Sequence, residues 1–464
     1  MRLSFSPRMF ENARFAALVA LLLACALWGG GARIDIPGLI FLQPLAVLLV
    51  ALILIVPGPV RWEAVRIPLL LLAGLAMFIS IQLIPLPPEW WAQLPGHAPF
   101  AANDRFVGLA DVWRPISLTP DLTLASLVGL VVPAAALIGF ASIPEERTYK
   151  LLPYLLGIAG VSAVLGVAQV LSGANSPLYL YSITNNGSAV GLFSNRNHQA
   201  LLLAICFPLL VLWVRQPMHP SGQRALKLWI AGATSLFLLL ATAMTGSRAG
   251  LFLALGGLAF AWLHFRGGVR AGRGPGGAAQ RFPLLVKAAP ALGGLALLWV
   301  AFLVSRAESI ERLFGLTLTE DRRVEASSTV LQMARDFFPF GSGFGSFDPV
   351  FRIYEPFALL RSTYFNHAHN DLLETAVTGG LPGLALIALF LIWVAPRLLA
   401  AFRRSSDSRA QLFAGFSGAL IALVLLSSLV DYPLRTPLMS ALFALACGWV
   451  GQGSKRSRAP RRSD

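Results

Sequence analysis

At 464 residues, with 56% hydrophobic and only 13% charged side chains and a mean hydropathy of +0.69, the chain has too few polar residues to clothe a soluble globule. It reads as an all-α polytopic membrane protein. The formal net charge of +15 would point to nucleic acid in a soluble chain, but here its distribution matters more than its sum, and no nucleic-acid partner is expected.

The first segment has a basic start and an apolar run. LLAC, ending at Cys25, resembles a lipoprotein box, yet the number of spans that follow favours an uncleaved signal anchor. Apolar runs able to cross about 30 Å of hydrocarbon fall at 14–29, 36–57, 66–86, 122–141, 151–172, 198–214, 228–246, 249–265, 285–305, 372–395, 411–430 and 436–450. With the N-terminus cytoplasmic, 24 of the 37 basic residues and all four lysines fall inside. The expected topology is therefore N-in and C-in by the positive-inside bias. The chain reads as one membrane domain (1–464), with a large external loop at 306–371 and a basic cytoplasmic tail at 451–464. Cys25, Cys206 and Cys447 lie in apolar runs and read as buried hydrophobes.

Loop lengths point to the side on which function resides. The cytoplasmic loops are short and basic; the longest, FRGGVRAGRGPGGAAQRF, suits contact with anionic lipid. Outside lie 87–121, with Trp90 and Trp91, then 173–197, ending in GLFSNRNH, and 306–371. In the last, VEASSTVLQMARDFF has a helical pattern that predicts a cap over the membrane helices. FGSGFGSF, which follows it, lacks the strand and helix that a nucleotide loop needs. Its glycines at 341, 343 and 345 suit a tight turn that brings the backbone close to a helix or ligand.

The densest chemistry is YFNHAHNDLLETAVTGGLPG, Tyr364 to Gly383, where His367, His369, Asn366, Asn370, Asp371 and Glu374 crowd the mouth of an apolar helix. A helix start with Asn366 or Asn370 as its cap explains the carboxylates but leaves the histidines unaccounted for. The i,i+2 histidine spacing suits a helical metal site poorly, whereas a histidine base held by an amide or carboxylate fits. Arg248, in TGSRAG at the outer edge of a span, is costly unless paired or bound to an anion. Arg196 in FSNRNH and Arg322 and Arg323 before the loop helix add guanidinium groups suited to phosphate.

Four landmarks in order, GLFSNRNHQALLL, TGSRAG, the arginine followed by a helix and FPFGSGFGSF, and HAHNDLLETAVTGGLPG, resemble the O-antigen ligase and polymerase superfamily of bacterial envelope glycosyltransferases. The resemblance runs from about residue 150 onward. It implies a GT-C-type membrane fold of about 12 transmembrane helices, with a multi-pass chain in the bacterial inner membrane and its active site facing the periplasm. It also implies transfer of a glycan from an undecaprenyl diphosphate carrier to an acceptor hydroxyl, on lipid A-core or on another glycan, among membrane lipids and without metal or cofactor. Carried over residue by residue, it implies catalytic roles for Arg248, Arg323 and His369. Arg322 adjoins Arg323, so the register there stays open by one, and the aromatic residue usual after the loop arginine is replaced by valine in RRVEASS. Asn195, Asn197, His198, Arg196, His367, Asn370 and Asp371 are candidate binding or orienting residues.

Two readings from other classes compete. A coupled transporter or flippase needs carboxylates at mid-membrane, but the predicted spans hold only Glu374, at a helix start. A structural subunit of an envelope complex needs none of the histidine cluster. Within the enzyme reading, ligase and polymerase share donor chemistry and differ in acceptor; ligase is the reading adopted.

Overall fold

The computed structural model describes residues 7–216, 223–271, 318–360, 365–403 and 408–455 of the chain. Its membrane body comprises α1 (Pro7–Trp28), α2 (Leu39–Ile55), α3 (Trp62–Ile81), α5 (Pro120–Gly129) continuing into α6 (Val131–Ser142), α7 (Leu152–Leu171), α8 (Arg196–Val214), α9 (Gln223–Met244), α10 (Arg248–Ala271), α13 (Asp371–Arg403), α14 (Arg409–Ser427) and α15 (Pro437–Lys455). Segments between the long helices carry α4 (Ala98–Phe106), α11 (Leu318–Asp336) and α12 (Phe347–Tyr354). The only strands among the described residues, β1 (Pro85–Leu86) and β2 (Arg114–Pro115), pair antiparallel.

Some helix starts are marked by polar caps that satisfy otherwise orphaned backbone N–H groups. The Asn195 side chain accepts from the Asn197 N–H at 2.9 Å. Ser247 Oγ takes the Gly250 N–H at 2.9 Å, and Asn370 Oδ1 takes the Leu373 N–H at 3.0 Å. Between these caps the helices are apolar enough that lipid can face one side and the bundle the other. Nine helices among the described residues are long and apolar enough to span a membrane, and Leu39–Ile55 is a shorter apolar helix.

α8 forms the centre, with most of its length buried, from His198 through Leu212. It packs closely on α10 because α10 presents glycines. A Cβ on Gly250 would lie 2.1 Å from Ala200 Cβ, and one on Gly257 would lie 2.6 Å from the Ala204 carbonyl oxygen. Small residues at a contact let the helix backbones approach, which is how packing is gained where lipid is as apolar as leucine.

One end of the bundle is drawn together by loop contacts. Gly30 O accepts from the Ser194 N–H at 3.2 Å, Gly29 O from the Leu438 N–H at 2.9 Å, and Ser428 O from the Asp371 N–H at 2.9 Å. The loop before α8 is fixed from within the membrane body by buried Gln169, whose Oε1 meets the N–H groups of Val190 and Gly191 at 3.2 and 2.8 Å. This end carries the starts of α8, α10, α13 and α15.

At the same end α13 is broken. Gly380 has φ +53° and ψ −146°, and Pro382 lacks an N–H, so the carbonyls of Val377 and Thr378 lose their helical partners. The glycine-rich turn replaces them: the N–H groups of Ser342 and Gly343 donate to those carbonyls at 2.9 and 3.0 Å, and Gln82 Nε2 donates to Thr378 O at 2.9 Å. Gly341, Gly343 and Gly345 all have positive φ and lie against Thr378, Ser117 and Leu122, a close backbone approach that a side chain would block. Above this turn α11 and α12 close a small apolar core of Val330, Met333, Phe337, Phe347 and Phe351 over Val377, the cap that the helical pattern predicts.

The expected spans correspond to helices with shifted ends, except that 285–305 lies outside the described residues, as do the loop before 318, most of the Gly/Arg-rich loop and the tail after 455. The expected span at 372–395 is interrupted at Gly380. Hydropathy averages over the break, because the freed carbonyls are satisfied by a distant loop rather than by local sequence. All three cysteines are buried and free.

Candidate active site

Five of the nine residues between α14 and α15, Asp431 to Arg435, form the centre of the site. Asp431 ends a turn in which its N–H bonds the Ser427 carbonyl at 2.8 Å, and Pro433–Arg435 makes a single 3₁₀ turn. This geometry aims Asp431, Tyr432 and Arg435 at the starts of α8 and α13.

Asp431 is buried at 1% exposure and receives donors from two segments. Asn197 Nδ2 donates at 2.6 Å and Asn195 Nδ2 at 3.3 Å to Oδ2, and the Tyr432 N–H donates to Oδ1 at 3.0 Å. The spacing in SNRNH explains this: Asn195 caps the helix while Asn197 and His198 occupy its first turn. Two imidazoles flank the same carboxylate, His369 Nδ1 at 3.5 Å and His198 Nε2 at 3.7 Å from Oδ1, within ion-pair range but outside aligned hydrogen bonds. Burial alone would raise the Asp431 carboxyl, but His198 and His369 hold it well below the usual carboxylate range.

A second histidine–carboxylate pair lies beside the first. Glu374, on the first turn of α13, meets His367 Nδ1 through Oε1 at 2.9 Å and the Ala368 N–H through Oε2 at 2.9 Å. Arg435 closes the cluster, with Nη2 at 3.0 Å from Glu374 Oε1 and Nε at 3.4 Å from Asp371 Oδ1. Burial works against the Arg435 charge, yet Glu374 and Asp371 raise its value above that of a free guanidinium.

Tyr432 separates the two pairs. Its ring centroid lies 4.1 Å from that of His367, 5.1 Å from His369 and 5.2 Å from His198. Burial, and then Asp431, push its phenol upward, so the hydroxyl stays neutral beside the Asn366 and Asn195 side chains. His369 itself has φ +50°, a left-handed backbone that costs about 1–3 kcal/mol in a non-glycine residue. The Asn370 cap that follows, with its Nδ2 on Leu429 O at 3.0 Å, holds it there.

The structure thus brings together Asn195, Asn197, His198, His367, His369 and Asp371 around Asp431, Tyr432 and Arg435. Asn370 serves as helix cap and Asp371 pairs with Arg435, so the carboxylate facing His369 is Asp431. His198, expected along a substrate path, is 0% exposed and faces Asp431 instead, because the first turn of α8 points it into the bundle. His367 and His369 keep 14% and 16% exposure and remain reachable. Arg196 and Arg248 start the closely packed α8 and α10, and Arg196 Nη1 lies 3.5 Å from where a Gly246 Cβ would sit. Arg322 and Arg323 lie in α11, with their side chains outside the described residues. Asp431, Tyr432 and Arg435 are missed by sequence reasoning. The one local sign is DYPLR itself, two opposite charges in a five-residue turn between apolar spans.

Chemically, an imidazole whose Nδ1 faces a carboxylate keeps Nε2 as a proton acceptor, and two such pairs at a bundle mouth can handle protons on a hydroxyl substrate. Residues 233–388 match the family model described as O-antigen ligase. That stretch includes Arg248, Arg322, Arg323, His367, His369 and Glu374, whereas Asn195–His198 and Asp431–Arg435 lie beyond it and join the site through geometry. No curated protein matches the chain significantly.

Proposed function

From the premise that this chain carries a domain of the O-antigen ligase and polymerase superfamily, we propose that it is a metal-independent membrane glycosyltransferase with a GT-C-type architecture in the bacterial inner membrane. It has N-in and C-in topology and works at the periplasmic face. The donor is a glycan on undecaprenyl diphosphate. The acceptor is a hydroxyl of lipid A-core, which makes the chain an O-antigen ligase.

His369 takes the proton of the acceptor hydroxyl at Nε2 while that oxygen attacks the anomeric carbon of the donor. The new glycosidic C–O bond forms as the bond from the anomeric carbon to the diphosphate oxygen breaks, and the diphosphate leaves on its carrier. Arg248 and Arg323 stabilise the charge that develops on the leaving group. Arg322, Arg196 and Asn197 support substrate binding nearby. Asp431 orients His369 and stabilises the imidazolium that forms.

The observation that supports this reading most is the contact of His369 Nδ1 at 3.5 Å with the buried Asp431 carboxylate, which Asn197 in the first turn of α8 also holds, at 2.6 Å. The test is a deletion strain in which lipopolysaccharide and carrier-linked glycan are separated and the glycan on each is sized. Long chains held on the carrier beside bare lipid A-core support a ligase. Single repeat units on the carrier would replace it with a polymerase, and unchanged glycan accumulating on the cytoplasmic side would point to transport.

A further inference from the structure

Asp431 stands between two imidazoles, and only one of them has a part in the reaction above. His369 approaches from the loop before α13, and His198 from the first turn of α8, at 3.5 and 3.7 Å from the same oxygen, Oδ1. The other groups on Asp431 are the neutral donors Asn195, Asn197 and the Tyr432 N–H. The Tyr432 ring stands between Asp431 and the His367–Glu374–Arg435–Asp371 cluster, and Arg196 and Arg248 start helices at the same end of the bundle.

His198 is 0% exposed, and neither of its ring nitrogens has a hydrogen-bond partner. A neutral imidazole there leaves a donor and an acceptor unsatisfied, and a protonated one leaves its second N–H unsatisfied and is desolvated, so in either form the strongest interaction open to His198 is with Asp431. Full burial also removes His198 from contact with substrate. Any influence it has on the chemistry passes through the carboxylate.

We propose that His198 and His369 share Asp431 and titrate as a coupled pair, His198 being a positioning residue whose proton offsets the carboxylate and keeps His369 free to accept a proton at lower pH. An anion within about 4–6 Å favours a charged imidazole, and a cation on the far side of that anion cancels part of the effect. The protons then belong to the pair rather than to either ring. The consequence for catalysis rests on His369 acting as the base; the coupling itself does not.

The experiment uses the full-length protein in detergent with 13C-labelled histidine. Six histidines give a tractable set of ring resonances, assigned by single His→Gln variants. In wild type, His198 and His369 are expected to titrate in two linked steps. In H198Q and H198N the His369 midpoint is expected to move upward by about half a pH unit or more, and the acid limb of the transfer rate to move with it. Independent single-site curves in wild type overturn the coupling, and so does an unmoved His369 midpoint in either variant that folds. A moved midpoint with an unmoved acid limb supports the coupling and overturns the role of His369 as base, so the two failures are distinct.

Discussion

Replacing Arg435 with leucine removes the guanidinium that Glu374 meets at 3.0 Å and Asp371 at 3.4 Å. Glu374 is 1% exposed and cannot turn to water, so it keeps only His367 Nδ1 and the Ala368 N–H, each at 2.9 Å. Breaking a buried pair by deleting one partner costs about 3–5 kcal/mol. Arg435 and Asp371 retain 22% and 19% exposure, which places the expected loss at the lower end, about 3 kcal/mol. Arg435→Lys keeps the charge but loses the planar fork, so its cost is expected to be smaller. Glu374→Gln in the leucine background removes the stranded charge and is expected to recover about 1 kcal/mol or more. Thermal unfolding in detergent, followed by loss of monodisperse protein on gel filtration, should rank wild type above R435K, then R435L/E374Q, then R435L. Wild-type stability in R435L would refute this charge-balance reasoning, and so would further destabilisation by E374Q.

Gly380→Ala places a Cβ at φ +53°, 2.1 Å from the Pro339 carbonyl oxygen, and is expected to reduce folded protein in the membrane sharply, by fluorescence of a tagged chain. Asp431→Asn keeps the size of the side chain but sets an amide against the Asn197 donor and removes the charge beside His369. Transfer is expected to fall about 10²- to 10⁴-fold, and the H369A/D431N double variant to be no worse than H369A; additive losses would separate the two residues. Because the folded Asp431 value is depressed, its stabilising contribution is fully present above the ordinary aspartate range and is lost only as pH falls through the depressed value. The stability gap between wild type and D431N should therefore persist down to about pH 5 and close only in stronger acid; convergence already near neutral pH would contradict the assignment.

The sequence makes the membrane helices legible because hydropathy is a local property, and the caps at Asn195, Ser247 and Asn370 follow the same local logic. The helical cap was equally readable in VEASSTVLQMARDFF. The break at Gly380 was not, although GGLPG is visible, because apolarity continues across it and the compensating donors come from Gln82 and the turn at Ser342 and Gly343. The histidine cluster stood out by composition alone. Its partners did not, because Asn195 and Asp431 lie 236 residues apart and nothing local to DYPLR says which histidine it will face. His198 is the complementary case: the sequence offers it as a candidate binding residue at a helix mouth, and only the fold shows that the first turn of α8 points it inward to the carboxylate.

The role of His369 as the base is probed by complementing the deletion strain with His369→Ala and measuring how the glycan divides between carrier and acceptor, with membrane levels of the protein checked in parallel. Glycan stranded on the carrier and a bare acceptor are expected, with the variant present at normal levels. Normal transfer to the acceptor by the same variant would contradict that role.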